Sequence, residues 1–377
     1  MSDIARNDSR RMDHAPAGNT ATGLLKLIAL AFMFVDHSGK VLFGNMAEMR
    51  TIGRIAFPLY VWCMIVGFYR TRNVTRYLLR IMLVGLISQP FYLLGLNDLG
   101  RGEVHVGLIY MEKIAKPFAG GFSFPALWQV LYNIFMEKPN IFLTLLMGLV
   151  ALCAIREKHW LRKSWGPCCF LLGMGILALI HDGKMDLILQ KMGAPFENGI
   201  TFGAIWEFLK VTFLETPNWF FPVVLAGSLI WKYCGREHRP GQIWGPAAMI
   251  LMATLLKADY NWRAIVFFIV LYGAQATRSG IAAVMVSYLF FWASKYSNAY
   301  TLFGLEIKPS VLPAPLSSPI TALFGKISEA FALAGLPLVL IRFPKDIRLP
   351  KWLSYLLYPG HLAILIALRI IIFGWMP

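Results

Sequence analysis

The sequence predicts an all-α, polytopic membrane protein of about 11 transmembrane helices, and three observations carry that expectation. Hydrophobic residues make up 57% of the 377-residue chain and charged residues only 15%, where soluble domains carry roughly a quarter charged. The mean hydropathy is +0.58. Apolar runs near the roughly 20 residues that cross a hydrocarbon core recur from one end of the chain to the other. Their even spread predicts one membrane domain, 24–377, after a polar, flexible tail, 1–23. The run that follows the tail is long, contains Asp36 and His37 and lacks a small-x-small site, so it is expected to stay in the mature protein rather than act as a cleaved signal.

Taken in order, the spans are expected at 24–44, 52–69, 78–95, 140–156 and 165–182, then within 203–234, and at 243–257, 263–277, 281–295, 328–342 and 352–373. Three intervening segments are expected outside the hydrocarbon. Residues 98–138 mix both charge signs with aromatics and suit an interfacial hairpin. Residues 183–202 are short and mixed. Residues 298–327 hold Pro309, Pro313, Pro315 and Pro319, which forbid a regular helix.

The formal charge of +16 would suggest nucleic acid in a soluble protein. Here the cations fall between apolar runs, so no nucleic-acid partner is expected and the bilayer is the medium. Arg6, Arg10 and Arg11 precede span one, Arg70, Arg72, Arg76 and Arg80 follow span two, and Arg156, Lys158, Arg162 and Lys163 follow span four. With Lys232, Arg236 and Arg239, and with Arg342, Lys345, Arg348 and Lys351, they all fall on one side if the N-terminus is cytoplasmic and the C-terminus periplasmic. The five Cys lie in or beside apolar runs without metal-site spacing, and no metal signature, P-loop or nucleophile elbow is present.

Against this background Asp36 and His37 stand out. They come about 12 residues into span one, near 18 Å from its start at about 1.5 Å per residue. An Asp at a helix centre costs on the order of 2.5–3.5 kcal/mol on insertion scales, so such a group normally faces a polar cavity with a partner. Candidates at the same depth are Arg54, which opens span two; Asn140 and Thr144, which open span four; Asp259 and Tyr260, which close span seven; and His361 in the last span. Each also has a plain structural reading. Asp36 and Arg54 make a structural pair, His37 and His361 are packing residues, Asn140 is a helix N-cap, and Asp259 is a loop residue. The Arg clusters are then topology signals or, alternatively, a site for an anionic donor. If the polar residues converge, a His oriented by a carboxylate beside an Arg suits acyl transfer. It suits proton-coupled transport equally, and spacing does not choose between them.

The segments KLIALAFMFVDHSGKVLF, IGRIAFPLYVWCMIVGFYRTRNVTRYLLRIMLVGLISQPFYLL, NIFLTLLMGLVAL, ADYNWRAIVFFIVLYG and YLLYPGHLAIL, in this order, resemble the TraX family. The resemblance implies an acyltransferase-like membrane domain of the bacterial inner membrane that acetylates the N-terminal amine of conjugative pilin subunits. Acetyl-CoA would be the co-substrate and no metal is expected; the pilin would come from the periplasmic side. Carried over by motif, it points to Asp36, His37, Arg54, Asp259 and His361 as catalytic. It points likewise to Pro58, Asn140, Thr144 and Tyr260, which with Tyr358 are expected as substrate contacts; the Arg70, Arg72, Arg76 and Arg80 cluster, read from the basic loop rather than from the motif, is expected to meet the donor phosphates. Other processing of the pilin terminus, such as cyclisation or a different added group, fits the same residues. The chain departs from the pattern in its inserts near 98–138, 183–217 and 298–330, and in Asn261, where Gly is expected after the Asp–Tyr pair.

Overall fold

A computed structural model describes residues 15–96, 106–181, 201–203, 240–293, 300–302, 305–307, 329–347 and 350–375. The architecture is helical. Helix α1 (Thr22–Val41) ends at a turn in which Gly44 and Asn45 both take positive φ, 59° and 68°. Gly has no Cβ penalty there and Asn tolerates it best among the rest. The chain therefore doubles back, and α2 (Ala47–Gly53) and α3 (Ala56–Arg70) run beside α1. Two glycines set how close they come. A Cβ on Gly39 would lie 2.6 Å from the Met49 Cβ, and one on Gly53 would collide with the Asp36 side chain.

The expected flexible tail is corrected in part. Residues 1–14 and the calls on them lie outside the described residues, but 15–21 are tied down. Asn19 is fully buried. Its Nδ2 donates to the Leu338 carbonyl at 3.0 Å, its Oδ1 accepts from Ala21 N at 3.0 Å, and its carbonyl accepts from Trp62 Nε1 at 2.7 Å. An Asn buried with this many partners fixes the approach to α1, because leaving any of them unmet would cost the desolvation of that group.

Helix α4 (Val74–Leu96) follows. Then α5 (Val106–Tyr110), a π turn (Met111–Ala115), a 3-10 turn (Lys116–Phe118) and α6 (Phe124–Phe135) make the described part of the outer hairpin. The Ser123 hydroxyl caps α6 by accepting from Ala126 N. Phe122 and Phe124 stay exposed at 75% and 81%. Helix α7 (Ile141–Arg156) is apolar all round and is the hub, packed against α3, α4, α8 (Trp160–His181), α9 (Pro240–Leu255) and α10 (Asn261–Ala274). A helix without a polar face belongs at the centre of its layer. Helix α11 (Arg278–Ala293) packs on a 3-10 stretch (Glu329–Gly335) that leads into α12 (Leu336–Leu340), and α13 (Lys351–Phe373) closes the described chain against α4 and α1. A small antiparallel pair, β1 (Tyr300–Leu302) and β2 (Leu305–Ile307), lies in the proline-rich insert.

Among the described residues, three helices are long and apolar enough to cross a membrane: Ala47–Arg70, Val74–Leu96 and Trp352–Phe373. Five shorter apolar helices, of 10–17 residues, accompany them; at about 1.5 Å per residue these fall short of a 30 Å core unless they thin it or share it. The expected span at 328–342 is not one regular helix. Its first half is 3-10, and Pro337 opens only the short α12. The expected span within 203–234 and the segment 183–202 lie outside the described residues, apart from 201–203.

Candidate active site

The chamber is built at the end of the bundle where α1 stops and α2 turns back. Its volume is about 250 Å³. Helix α1 brings Asp36, His37 and Lys40 to it, α2 and its end bring Arg50, Gly53 and Arg54, and α3 brings Phe57 and Tyr60. Helix α4 adds Tyr92, the start of α7 adds Lys138 and Phe142, the α9–α10 loop adds Asp259 and Tyr260, and α13 adds Tyr358.

The imidazoles define a tautomer chain. His361 Nδ1 lies 3.2 Å from the Leu357 carbonyl, which only accepts, so this nitrogen carries the proton. Neutral His361 then offers the Nε2 lone pair, and His37 Nδ1, 2.7 Å away, donates to it. The rings stack at 5.0 Å with 16° between planes. This leaves the lone pair of His37 on Nε2, on the same side as Asp36, whose Oδ2 is 4.0 Å away. At that distance Asp36 does not hold the ring by a hydrogen bond. The orienting contact on the His37 ring is the one to His361.

Asp36 pairs with Arg50, not Arg54. Arg50 Nε is 3.4 Å from Asp36 Oδ1 and its Nη1 donates to Asn45 Oδ1 at 2.6 Å. Arg54, one turn later, donates from Nη1 to the Tyr260 hydroxyl at 2.7 Å. Tyr260 stacks on Phe57 at 4.5 Å and meets Trp292 edge-on at 5.5 Å, so the Arg54 guanidinium is held by a ring that cannot easily move. Burial pushes the Asp259 carboxyl above the usual carboxylate range; Arg54 opposes this and Asp36 adds to it. Lys40 donates to the Leu96 carbonyl. The Tyr358 ring sits between His361 (5.1 Å) and Phe142 (4.7 Å), and its hydroxyl is buried with no hydrogen-bond partner.

Six of the sequence candidates thus come together: Asp36, His37, Arg54, Asp259, Tyr260 and Tyr358 line the chamber, and His361 backs its wall through His37. Others do not face it. Asn140 is an N-cap: Oδ1 accepts from Phe142 N at 2.9 Å, Nδ2 donates to the Gly85 carbonyl, and Gln89 holds its backbone N–H. The Thr144 hydroxyl donates to the Asp259 carbonyl at 2.6 Å and so pins the loop that carries Asp259 and Tyr260. Pro58 is buried in the first turn of α3. Arg70, Arg72, Arg76 and Arg80 are exposed at the far ends of α3 and α4. Sequence reasoning missed Lys40, Arg50, Tyr60, Tyr92 and Lys138. Arg50 had a signal, since it lies four residues before Arg54 and shares its helix face. Lys138, in the connection before α7, had none.

The sequence model described as TraX protein matches residues 21–117. A probable fimbrial assembly protein, FimC of Dichelobacter nodosus (serogroup H1), is 36% identical over 72 residues, 18% of this chain and 30% of that relative. An uncharacterized protein of Rickettsia prowazekii (strain Madrid E) is 26% identical over 187 residues, 46% of this chain and 70% of the relative. No solved structure matches. The chain thus spans less than a third of the fimbrial relative's length, while the TraX match contains Asp36, His37, Lys40, Arg50, Arg54 and Tyr92, the part of the chamber contributed by the first four helices.

Proposed function

We propose that this chain is an inner-membrane acyltransferase that moves an acetyl group from acetyl-CoA to the N-terminal amine of a pilin subunit. The observation that carries the reading is the His361–His37 pair, which leaves the His37 Nε2 lone pair beside Asp36 in a chamber shared with Arg54. The TraX match and the fimbrial assembly relative supply the substrate class.

The amine attacks the thioester carbonyl, forming the C–N bond. His37 Nε2 takes the amine proton, and the imidazolium is stabilised by Asp36 and by its Nδ1–H donation to His361. Arg54, fixed by Tyr260, faces the oxygen on which negative charge develops. The C–S bond breaks, the thiolate of CoA leaves, and the proton on His37 returns to it. In this reading the eleven-span topology stands, with the N-terminus cytoplasmic, the C-terminus periplasmic and the chamber toward the periplasmic leaflet. The donor enters from the Arg70–Arg80 end. A narrow apolar crevice from Ile81 to Gln89 on α4 shares Phe142 with the chamber and lies along that route.

Intact-mass measurement of pilin tests this. With the wild-type protein the pilin carries the mass of one added acetyl group. With His37→Ala the rate falls roughly 100- to 10,000-fold while immunoblots show the protein still in the membrane. Unchanged acetylation in that variant ends the mechanism, and a mass lowered by one water points to cyclisation instead.

A further inference from the structure

One polar atom of the chamber wall has no part in the steps above. Tyr358 lines the chamber and is only 5% exposed, and its buried hydroxyl has no hydrogen-bond partner among the described residues. The large majority of buried side-chain polar atoms in folded proteins are paired. Packing does not account for the exception. The ring stands edge-on to His361 at 5.1 Å and to Phe142 at 4.7 Å, and a Phe would make the same ring contacts without desolvating a hydroxyl. What Tyr adds over Phe here is one O–H donor.

Helix α13 decides where that donor stands. Tyr358 lies three residues before His361, so both side chains leave one face of the helix. His361 uses that face to hold His37 Nδ1 at 2.7 Å. The Tyr358 and His37 rings meet edge-on, with centroids 6.4 Å apart. Tyr358 is also within electrostatic reach of Asp259 and Tyr260, and the Tyr260 hydroxyl is the group that holds Arg54. The side chain thus reaches from the base toward the loop that fixes Arg54.

Three polar atoms meet in the acyl transfer. The amine nitrogen spends its lone pair on the carbonyl carbon and gives a proton to His37. The thioester sulfur is a weak acceptor. The carbonyl oxygen is a strong one, gains charge as the C–N bond forms, and takes more than one donor. A phenolic O–H needs an acceptor, and of the three atoms only this oxygen is fitted to it.

We infer that Tyr358 is a catalytic residue of the acyl transfer, its hydroxyl donating to the thioester carbonyl oxygen as the second donor beside Arg54. The phenol keeps its proton throughout, and the proton taken by His37 still goes to the departing thiolate. The inference rests on the acyl-transfer reading, and the test separates the two.

Full-length wild type and Tyr358→Phe in nanodiscs are given a peptide of the pilin N-terminus and acetyl-CoA, and initial rates are read by intact mass. Phe keeps the ring and removes only the hydroxyl, so folding is not at stake. The variant is expected to lose roughly 100-fold or more in kcat, with both KM values little changed. A second donor carries sulfur in place of the carbonyl oxygen, as the dithioester of CoA. Sulfur accepts weakly, so the wild type slows and the gap between the two proteins closes. Transfer by Tyr358→Phe at the wild-type rate overturns this role and keeps the acyltransferase. A raised acceptor KM with kcat unchanged puts the hydroxyl on the amine and overturns it too, as does a gap of the same size with the dithioester. A wild-type protein that transfers no acetyl group overturns the acyltransferase and this role together.

Discussion

The two ends of α3 carry the same residue type in opposite circumstances. Arg54, just before its start, reaches across to Tyr260 from a residue more than 200 positions away. Arg70, at its last turn, is exposed and donates to the Thr20 carbonyl. The contrast holds more widely. At the chamber end, Arg50, Arg54 and Lys40 meet partners on the facing helices and loops. At the other end, Arg72, Arg76 and Arg80 face outward, and Arg156 is satisfied nearby, by Glu157 and by the Phe68 carbonyl at 2.8 Å with its guanidinium 3.8 Å over the Phe68 ring. The chamber-end arginines are part-buried and meet side chains of other elements, whereas Arg70, Arg72, Arg76 and Arg80 are exposed at the helix ends. Orientation in a bilayer needs only the second kind.

Arg54 is the sharpest place to break that comparison. Arg54→Gln keeps a hydrogen bond to Tyr260 within reach but removes the charge, and the acetylation rate is expected to fall roughly 100- to 1,000-fold with the acceptor KM little changed. Arg54→Lys keeps charge without the fixed fork and recovers only part of the loss. If Arg54→Gln acetylates at the wild-type rate, the chamber end is as structural as the other. The double variant Arg70→Gln, Arg76→Gln is the matching probe of the far end. If those residues meet the donor phosphates, the KM for acetyl-CoA rises several-fold and kcat stays. If both constants stay and only the topology weakens, they are orientation signals alone.

How much of this was legible beforehand follows from distance along the chain. The depth of Asp36 and His37 was set by α1 alone, and helical rise placed them at the level of Arg54, Asp259 and His361. Depth is one coordinate, however, and rotation about each helix axis is another. Asp36 pairs with Arg50 because Gly53 lets α2 lie against the Asp36 side chain, and that close approach is a tertiary fact. Asn140 and Thr144 share the depth but spend their polar atoms on a cap and a loop. Asn261, which stands where the family resemblance expects Gly, has φ of 53°, and Tyr260 before it has φ of 60°. The loop thus holds two consecutive left-handed residues. Gly takes that geometry without cost and Asn with little, so the departure preserves the turn that aims Tyr260 at Arg54.

The smallest expected effect compares one carboxylate from each end. Glu157, just past α7, accepts from Arg156 Nε and Nη2 at 3.0 Å and from Lys163. Burial works to raise its carboxyl, but Lys163 and Arg156 outweigh burial and hold it below the usual range. A carboxyl lowered on folding contributes stability above its unfolded value, lost as pH falls through the folded one. Glu157→Gln is therefore expected to lower thermal stability at pH 7 by at most about 1 kcal/mol, since the pair is partly solvated. The difference from wild type closes below the carboxylate range. Asp259 runs the other way. Its carboxyl is raised by burial, so its contribution is present at low pH and is lost as pH rises through the folded value. Melts of Glu157→Gln and Asp259→Asn across pH 3 to 8 should then diverge in sign, with the Glu157 gap opening as pH rises and the Asp259 carboxylate costing the wild type progressively more. Parallel curves would mean that the two ends hold their carboxylates by the same physics.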